Sequence, residues 1–166
     1  MPTTSSYPSP LHGYENASPL PTEISADGKS LVNIKPGEDT PSPSKAYDEF
    51  VDPISKNGGF DFHVYFMHTQ EDELKYAREL HERIRREFPE LRIYRLWEKP
   101  IGPHPTGMFE VNTFNPHQTG TLFSWLTIHR GPCSVLVHPN TGNALQDHTE
   151  LMAWIGPPWP LRTDVL

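Results

Sequence analysis

Cysteine is all but missing from this 166-residue chain: Cys133 stands alone, so no intrachain disulfide can form. A single thiol suits a reducing compartment. Positive charge is also scarce, with 14 Lys and Arg against 21 Asp and Glu, a net charge of −7. That excludes the clustered basic surface a phosphate-backbone binder needs, so nucleic acid is not an expected partner. No apolar run is long enough to span a bilayer, and the opening stretch MPTTSSYPSPLHGYENASPLP has no apolar core of the signal-peptide kind. The expectation is a soluble, cytoplasmic protein with no membrane partner. Hydrophobic residues make up 35%, which permits one modest core, and the length predicts one folded domain.

Proline is abundant, with 19 residues, and it clusters early together with Ser, Thr and Gly. Such a segment buries too little apolar surface to offset its ordering entropy. Residues 1–55 are therefore expected to form a disordered arm, and residues 56–166 the folded domain. Within the domain, FDFHVYFM alternates at period two and predicts a strand over Phe60–Met67. Leu74, Ala77, Leu80, Ile84 and Phe88 share a helical stripe, which predicts a helix from about Gln70 to Phe88 with Thr69 as its cap. Strands are predicted over Leu91–Glu98, Met108–Phe114 and CSVLVHP. A second helix is predicted over Gly120–His129, and a short terminal one from Asp147, with Leu151, Trp154 and Ile155 packing back. The order βαββαβ predicts an α+β ferredoxin-like sandwich: an antiparallel four-stranded sheet, order 4-1-3-2, with two helices on one face.

In that fold Phe62, Val64 and Phe66 face the helices, while Asp61, His63 and Tyr65 face the other side. Glu110 and Asn112 point the same way from the third strand, and Ser134, Leu136 and His138 from the fourth. The fourth strand runs antiparallel to the first, which brings His138 beside Asp61 and His63. A carboxylate and two imidazoles on one face suit a divalent transition metal with open positions for substrate and dioxygen. A polar network on a wetted or dimer-buried sheet face would carry the same residues. His104 sits on the rigid loop GPHP, either as a functional group or as a turn cap, and His148 lies near the start of the terminal helix. Arg92 and Arg95 could each pair a substrate carboxylate, or protect an edge strand by charge.

FDFHVYF, KPIGPHPTGMFEV, WLTIHRG and VLVHPNTGNALQDHTELMAWIG, in this order, resemble the DOPA 4,5-dioxygenase family of fungi and bacteria over about Phe60–Leu161. The resemblance implies a ferredoxin-like domain, usually a homodimer. It implies Fe(II) as cofactor, and extradiol ring opening of a catechol such as L-DOPA with O₂, in secondary pigment metabolism. It maps the family's histidines onto His63, His104, His138 and His148. Many members carry H-x-H in the first strand, where this chain has Asp61-x-His63. The expected metal ligands are then His63 and His138, completed by Asp61 or His104. His104 or His148 would serve as acid or base, Tyr65 would hydrogen-bond a catechol oxygen, and Arg95 or Arg92 would hold a substrate carboxylate. The alternative is a dioxygenase-like protein, altered at Asp61, that binds a small ligand without oxidising it.

Overall fold

The computed structural model describes residues 8–33 and 44–166, so the parts of the expected arm at 1–7 and 34–43 lie outside it. The chain divides into two units at Ser42–Pro43. In the first, Asp27 accepts the backbone N–H groups of Lys29 and Ser30, and Ile24 bridges Leu31. The second unit begins before the expected boundary: the Phe50 ring lies 5.4 Å from that of Phe60.

The second unit contains, in order, α1 (Ile54–Asn57), β1 (Phe60–Phe66), α2 (Glu71–Glu87), β2 (Arg92–Ile93), β3 (Gly107–Thr113), α3 (Pro116–His129), β4 (Ser134–Pro139), α4 (Ala144–Thr149) and β5 (Ala153–Ile155). The sheet order is β2-β3-β1-β4-β5, antiparallel throughout. This is the expected 4-1-3-2 arrangement with one strand added. The residues from Ala153 to Ile155, expected to pack back behind a terminal helix, instead extend the sheet on β4. Trp154 faces Leu136 across that pair, and the helix before it starts at Ala144, capped by Asn143.

Three element ends differ from expectation for local reasons. Helix α2 is capped by Gln70, not Thr69; Glu73 reaches back to accept the Met67 N–H at 2.8 Å. Helix α3 begins at Pro116, because Asn115 accepts the Gln118 N–H and proline suits the first turn. Strand β2 is cut short by a bulge. Ile93 pairs with Val111, but Trp97 pairs with Met108, so one extra residue is inserted between them. The insertion turns Leu96 toward the helix side and Trp97 toward the opposite side, where each joins a different apolar cluster.

The main core lies between sheet and helices. Phe62, Val64 and Phe66 of β1 meet Ala77, Leu80 and Ile84 of α2 and Leu122 and Leu126 of α3. The second sheet face is not bare. Around Tyr65, Met108 and Leu136 it carries Trp97, Ile101, Met152, Trp154, Trp159 and Leu161. This apolar cover ends where His63 and Asp61 begin.

The turn into β1 contains two glycines with positive φ, Gly58 at 102° and Gly59 at 87°. A Cβ on Gly59 would collide with the Thr113 carbonyl, whereas one on Gly58 would meet nothing within 4 Å. Gly59→Ala should therefore lose roughly 2 kcal/mol or more in urea unfolding, and clearly more than Gly58→Ala, which carries the backbone strain alone. Equal losses would show that the close approach to Thr113 costs nothing.

Candidate metal centre and its cleft

Strand β1 lies between β3 and β4, and the register is Asp61 to His138 and His63 to Leu136. His63 and His138 are therefore diagonal neighbours on one face, within reach of each other. Their Nε2 atoms lie 3.0 Å apart. The His138 Nδ1 is 2.9 Å from the Pro139 carbonyl, which can only accept, so this nitrogen carries the proton and Nε2 holds a lone pair. His148, on α4, is fixed the same way: its Nδ1 donates to the Ala144 carbonyl at 2.8 Å. Its ring lies 4.0 Å from that of His138. His104 arrives on the tight Ile101–His104 turn, with its ring 4.5 Å from that of His63.

The ligand atoms of His63, His104 and His148 all lie within 4.8 Å of one another, and so do those of Asp61, His63 and His138. The expected set is thus brought together, with His148 joining it as a possible ligand. The donor chemistry fits a transition-metal ion: imidazoles, two of them with carbonyl-fixed tautomers, and a carboxylate, with Asp61, His63 and His138 on central strands. The His63 Nδ1 is buried with no hydrogen-bond partner, and the nearest carboxylate oxygen is Glu110 Oε2 at 3.9 Å. Asp61 accepts at one oxygen from two amides, Asn112 at 2.5 Å and Asn140 at 2.9 Å.

Burial sets the electrostatics. It pushes the His63 pKa well below the usual 6.5, reinforced by His104, His138 and His148. Burial, then His148 and His138, lowers His104 to about 4. Burial also lowers His138, against the Pro139 carbonyl, which favours its charged form. His63, His104 and His138 are thus held as neutral imidazoles, the form that ligates. Burial raises the Glu110 carboxyl, and Asp61 adds to this, while the Asn112 amide and Arg92 oppose it.

Three expected site residues sit elsewhere than predicted. Tyr65 is fully buried and lines neither cleft beside the histidines; its hydroxyl lies 2.6 Å from His104 Nδ1, so it orients that imidazole. Arg92 lies on the sheet edge over the Phe114 ring, 4.9 Å from its centroid. Arg95 stacks on Trp97 at 3.8 Å. Neither arginine lines the clefts beside the histidines, because aromatic rings at the edge hold both guanidinium groups. Residues to which the sequence reading gave no role do line the main cleft of about 450 Å³: Glu110, Asn140 and Asp147 among them. Glu110 was recognisable as facing the histidine side, but its closeness to His63 depends on the β1–β3 register.

The comparisons with known proteins agree with this geometry. Residues 60–165 match the Dopa 4,5-dioxygenase family, and the chain belongs to that family. A DOPA 4,5-dioxygenase of Amanita muscaria is 40% identical over 107 residues, covering 61% of this chain and 46% of that protein. An uncharacterised 21.2 kDa protein of Botryotinia fuckeliana is 53% identical over 96% of this chain and 90% of its own length. A crystal structure from Nostoc punctiforme, of a protein provisionally described as a dioxygenase, superimposes with a TM-score of 0.61 at 36% identity, over 69% of this chain and 95% of that one. A buried His and Asp group able to hold a metal ion is thus set in a dioxygenase family fold. Among the described residues no helix is long and apolar enough to cross a membrane.

The lowered histidine pKa values have a consequence for stability. Between about pH 6.5, the value of an unfolded histidine, and about 4, where folded His104 titrates, the unfolded chain binds more protons than the folded one. The histidine contribution is complete above pH 6.5 and is lost as pH falls toward 4. The urea midpoint of metal-free protein should fall steadily from pH 7 to pH 5, less steeply in His104→Gln. A midpoint independent of pH over this range would show that the buried imidazoles are not held neutral.

Proposed function

We propose that this chain is a non-haem iron extradiol dioxygenase that opens the ring of a catechol such as L-DOPA with O₂, in secondary or pigment metabolism. The homodimer and the cytoplasmic location expected from the sequence belong to the same proposal. The observation that supports it is the convergence of His63, His104, His138 and His148, with Asp61, at one end of a sheet face otherwise sealed by apolar residues. Bound Fe(II) would supply a redox centre for the reaction of a catechol with dioxygen.

The chain's own groups have separable tasks in this reading. His63 and His138 would hold the ion, with Asp61, His104 or His148 completing the set. Ligation requires the His63 proton to sit on Nδ1, on the side of Glu110. The Pro139 and Ala144 carbonyls stop the rings of His138 and His148 from turning. Tyr65 does the same for His104. His148 is only partly buried, so its Nε2 can take a catechol hydroxyl proton and exchange it with water. The apolar cover around Tyr65 and Trp154 keeps water from the protected side of the site.

A second reading, a ligand-binding protein without turnover, is favoured by one observation. Asp61, where many relatives have histidine, already accepts two amide hydrogen bonds and so serves a polar network.

Anaerobic protein loaded with Fe(II), given L-DOPA and then oxygen, should yield a yellow ring-opened product with one O₂ consumed per product. Absence of metal uptake would refute the proposal, and binding without turnover would favour the second reading. His63→Ala and His138→Ala should each weaken metal binding at least about 100-fold, more than loss of an outer-shell partner. Normal iron content in both would refute the ligand choice. Asp61→His should raise iron affinity if position 61 faces the ion, and leave it unchanged if Asp61 serves only the amides.

A further inference from the structure

Beside the histidine cleft lies a second one of about 230 Å³. Its walls are Tyr94, Trp97, Ile101 and Met108, and it shares Pro103, His104 and Glu110 with the first. The walls are held firmly. Trp97 and Met108 exchange both backbone hydrogen bonds, at 2.8 and 2.9 Å, and Ile101 and His104 exchange theirs at 3.1 and 2.9 Å. Arg95 covers one face of the Trp97 ring. Glu110 stands at the junction, fixed by the Asn112 amide at 2.7 Å. Among the described residues no Lys or Arg lines either cleft.

We propose that the second cleft receives the side chain of the catechol whose diol lies at the histidines, and that Glu110 favours a chain bearing an ammonium group, that of L-DOPA included, over one whose only charge is a carboxylate. This rests on the catechol reading above. An apolar pocket with few placed polar groups fixes orientation through those groups. Here the charged group at the junction is an acid. An ammonium entering beside it gains a carboxylate partner and the faces of Tyr94 and Trp97. A carboxylate entering there would leave water to face Glu110, with Asp61 beyond it, while the guanidinium groups of Arg92 and Arg95 are already held over the Phe114 and Trp97 rings.

The test is anaerobic calorimetry on the full chain, metal-free and Fe(II)-loaded, with three probes: 4-methylcatechol, 2-(3,4-dihydroxyphenyl)ethylamine and 3-(3,4-dihydroxyphenyl)propionate. The amine should bind at least about tenfold more tightly than the propionate. Glu110→Gln should bring that ratio within about threefold. Tyr94→Lys, at an exposed position, should shift the preference toward the propionate and decides the matter if the Gln variant does not fold. Equal binding of amine and propionate by the wild type, or a ratio unchanged in both variants, would overturn the inference. Failure of 4-methylcatechol to bind the loaded protein would instead overturn the catechol reading, and this inference with it.

Discussion

Strand β1 is hydrogen-bonded on both sides, so its side chains have only two directions to take. The choice is absolute, because a shift of one residue would exchange every side chain between the faces. Phe62, Val64 and Phe66 lie against the two long helices, and burying them fixes the register. Once it is fixed, Asp61 and His63 have no alternative to the opposite face, next to His138. The hydrophobic core thus determines where the polar cluster must form. The cluster does not stabilise the fold in return; His63, His104 and His138, buried and held neutral, are a cost the core has to carry.

Orientation is the second requirement, and it comes from neighbours that are not ligands. A backbone carbonyl fixes His138, another fixes His148, and the Tyr65 hydroxyl fixes His104. His63 alone has a bare Nδ1, facing Glu110. In a dioxygenase family fold this arrangement brings the ligand atoms of His63, His104 and His148, and those of Asp61, His63 and His138, each within 4.8 Å of one another. Asp61 differs from these groups in chemistry and in its attachments, since two asparagine amides already claim one of its oxygens.

The period-two alternation of FDFHVYF and SVLVHP made the facial assignment legible, because parity needs nothing beyond the local chain. The same holds for α2, whose apolar stripe is plain in the sequence. What escaped depends on longer-range facts. Nothing local distinguishes Ala153–Ile155 as a strand; it becomes one because β4 offers a free edge. Tyr65 alternates with His63 as expected, yet it is sealed by Trp154 and Leu136, which come from distant parts of the chain. Arg92 and Arg95 read as carboxylate binders only while their aromatic neighbours Phe114 and Trp97 were unplaced. Glu110 was placed on the correct face but lacked a partner until the β1–β3 register set it opposite His63.

The bulge in β2 separates two jobs that most sites mix. His63 and His138 stand on β1 and β4 and His148 on α4, whereas Trp97 and Tyr94 belong to the outermost segment on the far side of β3, with His104 on the turn that follows it. One residue gained or lost between Ile93 and Trp97 would trade Leu96 for Trp97 on the cleft wall and leave the β1–β4 ladder untouched. Related chains could in this way diverge in what they admit through length changes in a single edge segment. The ladder that carries His63 and His138 would be inherited unaltered, and the strand that changes is the one at the edge of the sheet.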